Sequence, residues 1–375
     1  MRCARPSTRR YGSGAASWTD PCAAAATGLR RPALLHTWSV LLVLGHSNSG
    51  SHDEASDIEE QPVGDRRRPK EWVMSNVAWI GLGHMGIPMS KHFVDAGHEV
   101  RGVDIEESAR ARARENGVEI VDSVREAVHD VDVVCTMLPS GKQVTEVLTG
   151  PDGAFAHMPA GAVAVDFSTT GIETAEALGA QAREQGVGFV DAPVSGGVIG
   201  AEKGDLALML GGDGEHVTAV ERFTKLVGEY IVHVGPSGRG QAMKVVNNAM
   251  MGVGMAVSCE ASVLAQRLGL DPQVFYDMVL RSSGDNWAFR NWFPLPGVVA
   301  TSPASHGYEA GFMVDLVAKD LRLAVELGTE HDVTMATSQT AFELFRRTSE
   351  AGAGTRDLTA LALELGAKVD PPAAG

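Results

Sequence analysis

Val77-Ala78-Trp79-Ile80-Gly81-Leu82-Gly83-His84-Met85-Gly86 is the stretch that decides the fold. Four apolar residues read as a buried strand, three glycines follow in the spacing GxGxxG, and a helical pattern begins at once. Each glycine has its own reason. Gly81 permits a tight turn, Gly83 lets backbone N–H groups approach a pyrophosphate, and Gly86 lets the helix pack close to the strand. The helix N-terminus adds the positive end of a dipole. The pattern asks for an acid about 20 residues further on, and Asp104 closes the next strand-like run, VRGVD. A carboxylate there accepts hydrogen bonds from an adenine-ribose diol and repels a 2′-phosphate. Neither Ile105 nor Glu106 supplies an arginine for that phosphate. The expected cofactor is NAD rather than NADP, held by Gly81, Leu82, Gly83, His84, Met85, Gly86 and Asp104.

Outward from this unit, short apolar runs alternate with helical stretches. Strands are expected at 77–80, 99–104, 132–137, 162–166, 187–191, 206–210 and 230–234. Helices are expected at 85–96, 107–116, 123–129, 172–185 and 216–226. The runs joined through helices are almost continuously apolar, as in strands covered on both faces. The fold class is α/β, a Rossmann-type doubly wound sheet over residues 74–236. After Gly235-Pro236-Ser237-Gly238 the strands stop. A long helix follows from about Gln241 to Leu268, with apolar positions Met243, Val246, Met250, Val253, Val257, Ala261, Leu264 and Leu268 at steps of three and four. This stripe is expected to be the packed face. Further helices at 272–281, 314–327 and 335–350 make residues 237–375 an all-α domain for substrate binding and dimerisation, joined to the first by that long helix.

Composition narrows the function. The chain has 375 residues, is 44% hydrophobic and carries a net charge of −15, which argues against nucleic acid and against an anionic membrane surface. No run of about 20 unbroken apolar residues is present, so no membrane partner is expected. Cys135 and Cys259 lie in apolar runs and read as buried free thiols. No cysteine or histidine has metal-site spacing, and hydride transfer belongs to the cofactor, so no metal is expected.

Residues 1–73 differ from the rest. They begin rich in Arg, Ala and Ser, pass through the apolar run Ala33–Gly45, and end in a polar, charged stretch unable to bury a core. Three readings stand: sequence upstream of the true start, with Met74 directly before the first strand; an organellar transit peptide; or an export signal. The expected compartment is the cytoplasm, or the mitochondrial matrix if the segment is a transit peptide. The folded core is expected to do without it.

Six motifs follow in order: GLGHMGIPM (Gly81–Met89), TMLP (Thr136–Pro139), DFSTT (Asp166–Thr170), DAPVSGGVIGAEKGDL (Asp191–Leu206), GQAMKVVNN (Gly240–Asn248) and AKDL (Ala318–Leu321). Over roughly 74–365 the chain resembles the β-hydroxyacid dehydrogenase family, most closely its branch acting on 3-hydroxyisobutyrate. The resemblance implies roles for matched positions. Leu138, Pro139 and Gln143 lie along the dinucleotide, Gln143 replacing a common Asn, and Thr169 lies near the nicotinamide. Ser195, Gly196 and Gly197 bind the substrate carboxylate. Lys244 is the catalytic lysine, Asn248 a substrate-binding partner, and Lys319 closes over the cofactor from the helical domain. The implied reaction is oxidation of 3-hydroxyisobutyrate to methylmalonate semialdehyde, in a homodimer or homotetramer built through the helical domain. Alternatives are a reductase of tartronate semialdehyde or another short aldehyde acid, and a non-catalytic cofactor-binding reader. A reader, like an imine-reducing relative, would lack Lys244. A 6-phosphogluconate-type relative would carry His where Asn247 stands.

The same residues read on their own terms. Ser195-Gly196-Gly197 offers a hydroxyl and consecutive N–H groups without β-carbons, a concavity suited to a carboxylate, though also a plain flexible turn. Gly200–Gly204 reads as a turn. Lys244 and Asn248 stand four apart and share a helix face. By spacing alone Lys244 is as readily a solvated side chain. As a base it needs burial and a cationic neighbour, such as Lys319, to bring its pKa from ~10.4 toward ~7–8. Asp191, just before Pro193, reads as a capping or turn residue rather than a catalytic one. The aromatics Trp287, Phe289, Trp292 and Phe293 either shape a small apolar pocket or pack a dimer.

Overall fold

A computed structural model describes residues 74–309 and 311–369. The readings of residues 1–73 fall outside the described residues. The first part runs β1 (Asn76–Ile80), α1 (Gly86–Asp95), β2 (Glu99–Val103), α2 (Glu107–Glu115), β3 (Glu119–Ile120), α3 (Val124–Ala127), β4 (Val133–Thr136), α4 (Gly141–Thr149), α5 (Ala154–His157), β5 (Val163–Asp166), α6 (Ile172–Glu184) and β6 (Gly188–Asp191). These six strands are parallel in the order β3-β2-β1-β4-β5-β6, and the order reverses direction between β1 and β4. That reversal is the crevice where α/β sheets bind ligands, at the carboxyl ends of the strands. β7 (Val194–Ser195), α7 (Gly197–Lys203), β8 (Leu206–Gly212), α8 (Gly214–Thr224) and β9 (Gly228–Gly235) extend the sheet. Here β8 runs antiparallel to β6 and β7, and β9 lies parallel to β8.

The continuous apolarity of the strands is explained by burial on both faces. Val77 and Trp79 pack one side with Phe93, Phe167 and Leu208, while Ala78 and Ile80 pack the other with Val134, Leu148 and Leu178. The Trp79 ring meets Phe93 edge-on with centroids 5.2 Å apart and stacks on Phe167 at 5.8 Å. Emptying such a site costs about 3–5 kcal/mol.

One local expectation is corrected. Residues 200–203, expected as a turn, lie within helix α7, which ends at Gly204 with φ +70°. Its glycines hide a helix anchored from outside: His92 Nε2 bonds the Ala201 carbonyl at 2.9 Å and Ala201 is buried. Helix α4 was not legible from periodicity, but Ser140 caps it by accepting the Gln143 N–H.

The second part is helical: α9 (Arg239–Arg267), α10 (Pro272–Val279), α11 (Trp287–Asn291), α12 (Val314–Glu330), α13 (Ala336–Thr348) and α14 (Leu361–Glu364). The second correction concerns which face of α9 is packed. Its own chain buries the small and polar face, with Lys244, Val245, Asn248, Ala249, Gly252, Ala256 and Cys259, against α12 and α13. Gly252 lets Leu321 approach closely. Most of the apolar stripe faces outward instead, Met250 at 74% exposed, Leu268 69% and Val246 61%, while Val253 packs against the helical core. A periodic stripe marks a face to be covered but does not say by what. Among the described helices, α9 alone is long and apolar enough to cross a membrane, yet 56% of its most apolar window is buried inside the fold. Cys135 and Cys259 are buried free thiols, as expected.

Candidate active site

The glycine loop has the geometry its sequence implies. Gly81 has φ +97°, and a β-carbon there would collide with the Met137 carbonyl and with Leu138. A β-carbon on Gly86 would collide with the Gly81 carbonyl. At Gly83 it would meet nothing, so this is the open side where a phosphate can approach. Asp104 ties the loop to β2: its two carboxylate oxygens accept Leu82 N–H at 2.6 Å and Glu106 N–H at 2.8 Å. Each oxygen keeps a further lone pair for a ribose hydroxyl. His84 is exposed, and Met85 packs against the core beneath the loop. These residues fit a dinucleotide.

The neighbouring strand ends complete the cleft wall. Leu138 N–H donates to Ser168 Oγ at 2.9 Å, which joins the TMLP segment to the loop after β5. Pro139 follows, exposed to solvent. The Gln143 side-chain oxygen accepts the Ser140 hydroxyl at 2.9 Å, leaving its amide N–H groups for other partners. Asp166 and Asp191 face each other as register partners on β5 and β6. Burial pushes both up to about 6 against the hydrogen bonds they accept. Asp166 holds Thr136 Oγ1 at 2.7 Å and Ser168 N–H at 3.1 Å. Asp191 accepts Gly238 N–H at 2.8 Å and Gln241 N–H at 3.0 Å, so it caps the start of α9, as its setting before Pro193 suggested.

The helical part brings Lys244, Asn248, Lys319 and Asp320 together. Lys244 is 8% exposed and Asn248 3%. The solvated-lysine reading therefore fails. Burial brings the Lys244 ammonium down to about 8, with Asp320 acting in the opposite direction and Lys319 lowering it further. The Asn248 side-chain amide donates to Asp320 Oδ2 at 2.6 Å, and Asn248 Oδ1 accepts Asn247 Nδ2 at 3.1 Å. Lys319 Nζ lies 3.4 Å from Asp320 Oδ1 and donates to the Thr169 carbonyl at 3.4 Å, bridging from α12 to the loop after β5.

Ser195 ends β7, and Gly196 (φ +139°) and Gly197 (φ +64°) turn the chain into α7. The Ser195 hydroxyl has no hydrogen-bond partner among the described residues. The Trp292 ring lies within contact of a β-carbon placed on Gly197 and packs edge-on with Trp287 at 5.0 Å. Phe289 and Phe293 turn inward to a separate core with Tyr276. Of the two readings of the aromatic segment, the pocket reading suits Trp292, whereas Phe289 and Phe293 pack this chain's own core rather than a dimer contact.

Sequence reading missed Asp320 and Gln241 as members of this region. Asp320 lay inside the AKDL motif, and Gln241 stood three residues before Lys244 on the same face, but neither spacing names its distant partner. Among the described residues, no group of three His, Cys, Asp or Glu side chains is placed to hold a metal.

Family profiles match in two blocks. The NAD binding domain of 6-phosphogluconate dehydrogenase matches residues 76–235, and the NAD-binding domain of NADP-dependent 3-hydroxyisobutyrate dehydrogenase matches residues 238–365. An NAD-dependent L-serine dehydrogenase of Pseudomonas aeruginosa is 38% identical over 286 residues, covering 76% of this chain and 96% of that protein. A probable 3-hydroxyisobutyrate dehydrogenase of Mycobacterium tuberculosis is 41% identical over 268 residues, covering 72% and 88%. The solved Mycobacterium tuberculosis 3-hydroxyisobutyrate dehydrogenase with L-serine superposes with a TM-score of 0.72 at 37% identity, covering 79% of this chain and 100% of that one.

Proposed function

The chain belongs to the β-hydroxyacid dehydrogenase family and is an NAD-dependent 3-hydroxyacid dehydrogenase, and on that premise we propose that it oxidises 3-hydroxyisobutyrate to methylmalonate semialdehyde with Lys244 as general acid/base. The observation that carries the proposal is the burial of Lys244, whose pKa is brought down to about 8 beside Asn248, Asp320 and Lys319. NAD supplies the hydride acceptor when bound. Gly81–Gly86, Asp104, Leu138, Pro139, Gln143, Thr169 and Lys319 are the residues we assign to holding it.

The chain's own part is to orient the acid and move one proton. Ser195, Gly196 and Gly197 receive the substrate carboxylate through a hydroxyl and N–H groups. Asn248 has two amide hydrogens; Asp320 takes one, and the other serves the substrate hydroxyl. Neutral Lys244 accepts the proton of that hydroxyl as the carbinol carbon loses hydride, and returns it in the reverse direction. The aromatic ring of Trp292 beside Gly197 supports a small apolar group at C2. L-Serine is the second reading, favoured by the serine-named relative; it keeps the carboxylate and 3-hydroxyl and changes only C2. Reduction of tartronate semialdehyde is the third.

We divide the chain into a cofactor-binding domain at 74–236 and a substrate and dimerisation domain at 237–375; the sheet ends at Gly235 and α9 begins at Arg239. We also infer a homo-oligomer through the helical domain, because the outward seam of α9 has the 3–4 spacing by which helices pair and a second copy presents the same seam. Initial rates with 3-hydroxyisobutyrate, L-serine and, in reverse, tartronate semialdehyde test the substrate assignment. The highest kcat/KM for either of the last two would displace it.

A further inference from the structure

We infer that Gln241 is a positioning residue that fixes the distance between the proton-transfer group on α9 and the loop on the nicotinamide side of the cleft. The inference rests on the assignment of Lys244 made above. Gln241 sits in the first turn of α9, three residues before Lys244 and on the same face, and is fully buried. Its side chain makes three hydrogen bonds, all to one five-residue loop. Nε2 donates to the Ser168 carbonyl at 2.8 Å, and Oε1 accepts Thr170 N–H at 2.9 Å and Gly171 N–H at 3.3 Å. The orientation of the amide is unambiguous, since a flip would set oxygen against the Ser168 carbonyl and NH2 against two N–H groups.

The residue this loop presents to the cleft is Thr169, flanked on both sides by the atoms Gln241 grips. Lys319 takes the Thr169 carbonyl from α12. The backbone groups of four successive residues, 168 to 171, are thus occupied by side chains of the helical part. From the other side Asp166 holds Ser168 N–H, and Asp191 holds the backbone of Gln241 itself. A displacement of the first turn of α9 would therefore carry Lys244 away from Thr169. Hydride and proton leave neighbouring atoms of one substrate, so their two receivers must be registered to each other. Misplacement by about 1 Å costs on the order of 100-fold in such reactions.

The test uses full-length Gln241→Met, which keeps length and removes all three hydrogen bonds, and Gln241→Glu, which keeps the acceptor for Thr170 and Gly171 but opposes the Ser168 carbonyl. Rates are taken with the hydroxy acid the wild type turns over best and normalised to NAD-binding sites, so unfolded chains do not count. Lys244→Ala is run in parallel. We expect both Gln241 variants to lose about 10- to 100-fold in kcat while the NAD dissociation constant stays within about threefold. The primary deuterium isotope effect on kcat, with substrate labelled at the carbinol carbon, should rise in both as hydride transfer becomes limiting. An unchanged kcat and isotope effect, or NAD affinity falling in step with kcat, would overturn the inference. Full activity of Lys244→Ala would instead overturn the lysine assignment on which it rests.

Discussion

Asn248 on α9 donates its side-chain amide to Asp320 on α12 at 2.6 Å, with both residues buried. This one bond orients the amide four residues from Lys244 and places a carboxylate beside its ammonium. Asp320 raises the Lys244 pKa against the larger effect of burial. Asp320→Asn should therefore let the lysine fall further below about 8, moving the alkaline-rising limb of kcat/KM for oxidation to lower pH. A drop in kcat of about tenfold or more should accompany the shift, since Asn248 loses its charged partner. A limb that stays in place, or moves to higher pH, would remove Asp320 from the electrostatics of the site.

Lys244 should be both necessary and destabilising. Lys244→Ala is expected to lower kcat by ~10²–10⁴-fold, with NAD affinity nearly unchanged because the glycine loop lies on the sheet. Lys244→Arg should not rescue, since guanidinium stays protonated. In the wild type, kcat/KM for oxidation should rise through a pKa of about 8. Stability carries the matching sign. The folded pKa lies below the ordinary 10.5, so between about 8 and 10.5 the unfolded chain binds more proton and stability rises with pH. At neutral pH, Lys244→Met should gain on the order of 1–3 kcal/mol in denaturant unfolding and lose that upward slope. A methionine variant no more stable than wild type would contradict the burial of a charged lysine.

Asp104 should decide between the two nicotinamide dinucleotides. Its carboxylate stands at the end of β2 against the glycine loop, and Ile105 beside it is open to solvent. Wild-type kcat/KM should favour NAD. Asp104→Ser with Ile105→Arg should weaken or reverse the preference by removing the repulsion and adding a phosphate partner. Better use of NADP by the wild type would show the assignment to be wrong.

The outward seam of α9 should hold two copies together. Met250→Glu or Leu264→Glu places a charge in the middle of the seam and should convert the assembly to smaller species by light scattering, with NAD binding retained. A wild-type protein with the mass of one chain would leave the seam without its partner.

Much of this site was legible in residue order. The GxGxxG turn, the acid after β2 and the doubly apolar strands are local patterns, set by φ/ψ limits and by the two-residue and 3.6-residue periods, so they announce a dinucleotide-binding sheet without reference to distant chain. The four-residue spacing of Lys244 and Asn248 likewise puts them on one face of a helix. Tertiary packing decided the rest. The period marked the apolar stripe of α9 as the face to be packed, yet the docking of α12 and α13 onto Gly252 and Cys259 buried the small, polar face instead. That choice moved Lys244 out of water and brought Asp320 and Lys319 beside it from α12. It also brought Gln241 to the loop of Thr169, 70 and more positions earlier in the chain. A local pattern specifies the shape of a segment; the proton affinity of a lysine depends on which distant segments remove its water.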